Sequence, residues 1–339
     1  MTRAAGKNLP SDDKVENFKA FAVNGDGTLV SGYSGDGKEL TKETGLMVNT
    51  RARRVYVIAN AGDIELENET AVKNYIADLA SKKGGLQKSA RWATGSAELK
   101  PGDFKQSGSN FVASVNVQLT FIAARITVKI KSSGEMAEYY EHLGNDSSLF
   151  LQKVVVLNAG GKSKLFGKSN LPGESLIPEA SFGKLYYEGM GKPDPSFIYP
   201  ADDNYTVDEE LFSDTVDGKF ADTYCYYVFE NNAKTADEFP TIVLIKGTYA
   251  KRPIYFPVHL ASYENWGSAA SNPEFITRGK SYEITITLKG DPRFKEGGEY
   301  PGSTGGTDDP TKPVVSSRID VSLTLNEWVA VTLDKTFGD

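Results

Sequence analysis

A chain of 339 residues, 39% hydrophobic and 24% charged, holds enough apolar material for packed cores and excludes global disorder. At roughly 150 residues per domain, two domains are expected. A formal net charge of -7 argues against a nucleic-acid partner, whose phosphates call for a basic face, and a single cysteine, Cys225, excludes an intrachain disulfide and a thiolate zinc site. With only His142 and His259, a multi-histidine metal centre is excluded as well.

The 17 Tyr, 17 Phe and 33 Gly, with many Val, Ile and Thr, favour β structure, and the chain reads accordingly. Met1-Thr2-Arg3-Ala4 leads into charged sequence without the apolar core of a signal peptide, so a cytoplasmic protein or a mature form is expected. Lys14 to Val23 alternates imperfectly and meets Asn24-Gly25-Asp26-Gly27, which predicts a strand and a hairpin turn rather than a calcium loop. Arg54 to Ala61 is short and rich in β-branched residues, a buried strand whose entrance carries Arg51, Arg53 and Arg54. Val72, Ile76 and Leu79 at helical spacing predict a helix over Glu69 to Lys82, capped by Gly84-Gly85.

From Val112 to Ile130 the run VASVNVQLTFIAARITVKI keeps Val115, Val117, Leu119 and Phe121 on one face, then Ile126, Val128 and Ile130 in a new phase. The break at Ala123-Ala124-Arg125 ends one strand, begins another and marks the domain boundary. A short helix over Ser133 to Leu143 follows, then strands at Lys153 to Leu157, Tyr224 to Glu230, Thr241 to Tyr249, Ile254 to Leu260 and Ser281 to Leu288. Short strands separated by Gly, Pro, Asn and Asp clusters point to antiparallel sandwiches. Cys225, inside the aromatic run Tyr224 to Phe229, reads as a small buried thiol. No run reaches the roughly 18 to 20 apolar residues that a membrane helix needs.

Asp291 to Pro313 is loaded with Gly, Pro and charge and is nearly free of aliphatic residues, the composition of a linker. Beyond it the odd positions Ile319, Val321, Leu323, Leu325, Val329, Val331 and Leu333 are apolar, with Glu327 alone breaking the series, while the even positions are mostly polar. That is a long strand with one apolar face, bent near Glu327-Trp328. It has two destinations open to it: its own domain, or a vacancy in the sheet of another molecule. Seven such side chains bury gross apolar surface worth roughly 10 to 20 kcal/mol before ordering costs.

The order RRVYVIANAG, helix, VQLTFIAARITVKI, YYVFENN, TIVLIKGTY and ITRGKSYEITITLKG before a linker resembles the Bacteroidales fimbrillins of the type V pilus class over nearly the whole chain. The ending RIDVSLTLNEWVAVTL, with Trp328, is similar to the C-terminal extension of their shaft subunits. The resemblance implies an all-β fold with a few short helices: two tandem transthyretin-like antiparallel β-sandwich domains, 1–123 and 124–290, a linker 291–317, and a donor strand 318–339. It implies a lipoprotein precursor at the outer membrane, processed by an arginine-specific or trypsin-like protease between Arg3 and Ala4. It further implies a cell-surface fimbria that serves adhesion and biofilm formation, whose partners are other copies and other fimbrial subunits, anchor and tip proteins included. The donor strand would carry Ile319, Val321, Leu323, Leu325, Trp328, Val329, Val331 and Leu333. No cofactor is implied and the outer membrane is reached only through the precursor's lipid anchor.

Other chemistry finds less support. Val154 to Ser163 resembles a strand entering a phosphate loop, but Val156 stands where the leading glycine belongs, so a hairpin loop is expected. Asp202-Asp203-Asn204 lacks calcium-loop spacing, Asp214-Thr215-Val216 matches a short O-glycosylation sequon, and no nucleophile elbow or triad is legible. The competing reading is a fimbrial tip or accessory adhesin, or a surface lipoprotein binding glycans through Trp92 and Trp266. An enzyme is the least supported.

Overall fold

The Asn24-Gly25-Asp26-Gly27 turn forms because Gly27 adopts a φ of 83°, the left-handed region that a glycine enters without strain. The Asn24 amide donates to the Thr28 carbonyl at 2.9 Å and the Asp26 carboxylate accepts from the Thr28 amide at 2.9 Å. This hairpin joins β1 (Asn17–Asn24) to β2 (Leu29–Asp36). The computed structural model describes residues 14–36, 48–61, 64–78, 91–132, 150–157, 162–167, 213–215, 223–231, 241–249, 252–259, 276–288, 319–327 and 329–338.

After β3 (Ala52–Ala59) come the helix α1 (Glu69–Asn74), β4 (Ile76–Asp78), β5 (Ala93–Glu98), β6 (Lys105–Ser107), β7 (Asn110–Phe121) and β8 (Ala123–Ser132). Then follow β9 (Phe150–Leu157), β10 (Lys162–Lys164), β11 (Ser213–Thr215), β12 (Thr223–Phe229), β13 (Ile242–Tyr249), β14 (Arg252–His259) and β15 (Lys280–Leu288). The chain closes with β16 (Ile319–Glu327) and β17 (Val329–Gly338). It divides into two units, and the division falls between Ala124 and Arg125.

The first unit is built on one sheet in the order β17-β7-β5-β3-β1-β2, with β6 also paired to β7. Its inner strand β3 lacks period-two alternation because Val55, Tyr56, Val57, Ile58 and Ala59 are all buried, so both of its faces are covered. By contrast, β7 buries Ala113, Val115, Val117, Leu119 and Phe121 while Ser114, Asn116 and Gln118 are exposed. At Gly95 of β5 the backbone of β7 comes close. A Cβ there would lie 2.3 Å from the Gln118 carbonyl oxygen and 2.7 Å from the Val117 side chain, so only glycine fits.

The second unit holds two four-stranded sheets, β11-β9-β13-β14 and β12-β8-β15-β16. Ile126, Val128, Ile130, Val154, Val156, Tyr226, Phe229, Leu244, Tyr282 and Ile284 form its core, and the Tyr226 hydroxyl of one sheet donates to the Val154 carbonyl of the other at 3.4 Å. Cys225 is buried in the same unit, as its aromatic surroundings in sequence predict. The fold is β-rich with antiparallel pairing throughout the described ladders save one, β8 with β15, which runs parallel from Arg125↔Ser281 to Ser132↔Leu288. In the polar interior the Glu230 carboxylate accepts from Arg278 Nη2 at 2.5 Å and from its Nε at 3.2 Å. The Glu230 side chain is 4% exposed, so this pair is held away from water.

Three expectations are corrected. The helix expected over Glu69 to Lys82 ends at Asn74: Asn68 caps it by accepting from the Ala71 amide at 2.9 Å, Tyr75 turns extended, and Ile76 enters β4 half exposed. Leu79 and Gly84-Gly85 lie outside the described residues, as does the helix expected over Ser133 to Leu143. The change of strand phase comes at Ile122, whose amide donates to the Trp92 carbonyl at 2.9 Å, so Ala123 already belongs to β8. Finally, β9 and β10 do not form a hairpin, because β9 pairs with β11 and β13 while β10 pairs with β4 of the first unit. The apolar run of β9 has partners in its own sheet, leaving the Lys162–Lys164 backbone to pair elsewhere.

Candidate functional site

The alternating tail forms two strands in two sheets. Ile319, Val321, Leu323 and Leu325 lie on β16, next to β15 in the second unit, whereas Val329, Val331 and Leu333 lie on β17, next to β7 in the first. Trp328, between them, lies outside the described residues, and so do Arg3 and Ala4. The long strand expected to bend near Glu327-Trp328 is instead two strands, β16 ending at Glu327, the odd residue that is not apolar, and β17 beginning at Val329.

The seat of β17 is the edge of β7. The ladder is antiparallel and sets Leu333 opposite Val117, Phe337 opposite Ala113, and Thr332, Asp334 and Thr336 opposite Gln118, Asn116 and Ser114. Polar positions of the tail thus face the exposed positions of β7, and Leu333 and Phe337 face buried ones. Between Val329, opposite Thr120, and Thr332, opposite Gln118, the register shifts by one residue, as in a β-bulge. Val329 and Leu333 consequently meet β7 positions of opposite parity. The donor strand expected over 318–339 includes Lys335, Phe337 and Gly338, but the apolar positions named within it end at Leu333. Phe337 prolongs the odd apolar series and was legible, whereas Lys335, opposite Val115, interrupts it and hid the continuation.

The arginine-rich entrance of β3 is occupied by structure. Arg53 Nη1 donates to the Thr50 carbonyl at 2.9 Å and to the Ala52 carbonyl at 2.7 Å, and Arg54 pairs with Glu69. Glu69 also accepts from the Tyr56 hydroxyl at 2.5 Å and from Lys73 at 3.0 Å. Burial pushes its carboxyl up, but the hydrogen bonds from Tyr56, Lys73 and Arg54 outweigh it and hold the group at about 2. Burial and the bond to Glu69 push the Tyr56 hydroxyl up to about 12. This cluster pins α1 against the β1–β2 turn, where the Glu69 amide donates to the Gly27 carbonyl at 3.1 Å.

Trp92, expected as an exposed aromatic, is half-buried against Tyr75, with ring centroids 6.2 Å apart and its indole nitrogen inside the protein. Trp266 and Asp202-Asp203-Asn204 lie outside the described residues, whereas Asp214 and Thr215 sit on β11 paired with Val154 and Lys153. Among the described residues no group of three or more His, Cys, Asp or Glu is arranged to hold a metal ion. Nor is any described helix long and apolar enough to cross a membrane.

A family model for the C-terminal domain of the FimA-like major fimbrial subunit protein matches residues 123–328, from the first residue of β8 to the residue before β17. Among solved structures, a proposed cell adhesion protein from Bacteroides eggerthii is 26% identical with a TM-score of 0.62, over 93% of this chain and 90% of that one. A fimbrilin from Porphyromonas gingivalis is 17% identical with a TM-score of 0.54, over 97% and 95%. No curated protein matches.

Proposed function

Because the chain belongs to the FimA-like fimbrial subunit family, we propose that it is a shaft subunit that polymerises by donor-strand exchange, with β17 as the donor and the edge of β7 as the acceptor. It is a structural protein of a cell-surface fimbria and, on this reading, acts by assembly and adhesion rather than by catalysis. The observation that carries the reading is the separation of β17 from β16: one half of the tail completes its own unit's sheet, and the other half lies on the far side of the division, beyond the region the family model matches.

Seated in its own chain, β17 makes with β7 the ladder that a neighbour's β17 would make there. Exchange therefore conserves pairing, as in domain swapping, and a short tether favours the closed monomer through its high effective concentration. Such a system needs a trigger. Proteolysis between Arg3 and Ala4, removing an N-terminal strand that fills the seat in a lipidated precursor, supplies one, and it would take place at the outer membrane before incorporation alongside anchor and tip subunits. Biofilm support would follow from the polymer.

The test compares the full chain with one lacking Val329 to Asp339 by electron microscopy and hydrogen exchange. With both chains cut after Arg3, the expected outcome is filaments from the one that keeps Val329 to Asp339 only, with β8 and β15 amides equally protected in both. Filaments from the truncated chain, or loss of β8 and β15 protection in it, would remove β17 from the donor role. A precursor bearing Arg3→Ala should accumulate as uncut monomer, and normal fimbriae from it would refute the processing step.

A further inference from the structure

The segment that resembles a phosphate loop in sequence has a different use in space. Lys162–Lys164 pairs with Ile76–Asp78 in register, Ser163 and Leu165 are fully buried, and the Leu165 amide donates to the Tyr75 carbonyl at 3.2 Å. Phe166 meets Tyr56 edge-on with ring centroids 4.9 Å apart. The Leu165 carbonyl accepts from the Thr94 hydroxyl at 2.9 Å in a buried hydrogen bond. In sequence these residues interrupt the second unit, and in space they belong to the first.

Thr94 is where this segment meets the candidate seat. It lies on β5 opposite Thr120 of β7, and Thr120 is the residue opposite Val329, where β17 begins. A Cβ on its neighbour Gly95 would lie 2.3 Å from the Gln118 carbonyl oxygen, and Gln118 is opposite Thr332. The pairs joining β5 to β7 are Ala93↔Phe121 and Thr94↔Thr120, so a contact that fixes Thr94 fixes half of that junction. We propose that Lys162–Phe166 is a clasp that, through the Leu165–Thr94 hydrogen bond, positions the β5–β7 junction and so controls how readily the β7 edge exchanges its donor strand. Thr94, Leu165 and Phe166 are positioning residues, and the partner they govern is the β17 strand of a second copy. The inference rests on the reading of β7 as an exchangeable seat.

The test uses the full chain and a fluorescent peptide of residues 329–338, following peptide uptake and amide exchange together. Thr94→Val keeps the shape and removes the donor to Leu165. Its uptake of peptide and the exchange of β17 amides should be roughly three- to tenfold faster than in the wild type, the change that one buried hydrogen bond is worth. Amides of β1 and β3 should be unaffected, and Thr94→Ser should restore the slow rate. Phe166→Leu, which weakens the contact with Tyr56 and leaves Thr94 in place, should act in the same direction. Equal uptake by wild type and variants overturns the clasp and leaves the exchangeable seat standing. A parallel rise in β1 and β3 exchange overturns it too, by showing general destabilisation. Peptide entering no variant, with β17 amides exchanging only together with β1 and β3, overturns the seat itself and the clasp's role with it.

Discussion

β16 and β17 come from one alternating stretch of sequence and serve two different sheets. β16 is held in the order β12-β8-β15-β16 with the rest of the second unit, whereas β17 borders β7 and nothing else along its sheet path. Alternation specifies that a segment will be a strand with one apolar side, and it does not specify whose sheet receives it. That choice is made by the residues flanking the break and by which edges elsewhere are unfilled.

The strongest way to break this comparison is to charge one strand at a time. Leu323→Asp, which puts a charge into the apolar series of β16, is expected to destabilise the second unit and to speed hydrogen exchange in β8 and β15. Leu333→Asp should instead release β17, abolish filaments, and leave β8 and β15 protection unchanged. Equal effects on both units would mean that the tail acts as one strand.

Next in size is the Glu230–Arg278 pair of the second unit, half of which is nearly sealed from water. Glu230→Ala should lower that unit's stability by about 3 kcal/mol in chemical denaturation, since it leaves a guanidinium without its partner in a dry site. β17 should stay seated. Gly95→Ala is the matching probe of the first unit. Its Cβ would collide with the Gln118 backbone, so a loss of about 1 to 3 kcal/mol and weaker β17 protection are expected. Gly32→Ala on β2, where the nearest atom would be 3.9 Å away, should show neither.

A smaller effect separates the units by acid. The Glu69 carboxyl is held at about 2 in the folded protein, below its ordinary 4.5. A depressed carboxyl binds its proton more tightly when unfolded, so its contribution is complete above pH 4.5 and is lost as the pH falls toward 2. Exchange in β1 and β3 should accelerate across that window, and Glu69→Gln should flatten the dependence. Smallest of all is Thr336→Ala, opposite the exposed Ser114, which should change filament yield little and stability by less than about 0.5 kcal/mol.

Most of the strands were legible because their cause is local. The Asn24 to Gly27 turn, the β-branched run of β3 and the phase shift near Ile122 each announce themselves within a dozen residues. The helix was over-read because Val72, Ile76 and Leu79 keep helical spacing, while the partner that takes Ile76 into a strand lies at Lys164, far along the chain. The same non-local pairing concealed the clasp, since nothing near Lys162 says that its backbone will meet Asp78. At the candidate site the apolar series of the tail was visible, and its division between two sheets was not, because β16 and β17 carry the same alternation and differ only in which edge is open to them. The bulge after Val329 depends on the register with β7, which one strand cannot reveal on its own.

The borrowed segments of the first unit also set an order of manufacture. A ribosome that has finished Ala124 has made most of that unit's sheet, but neither β10, which pairs with β4, nor β17, which pairs with β7. β10 arrives some forty residues later, and β17 only after about another hundred and sixty. The surface beneath Leu165 is therefore uncovered only until β10 is made, whereas the β7 edge stays open much longer, until β17 is made. They are surfaces on which a chaperone or export factor can act before the subunit closes on itself.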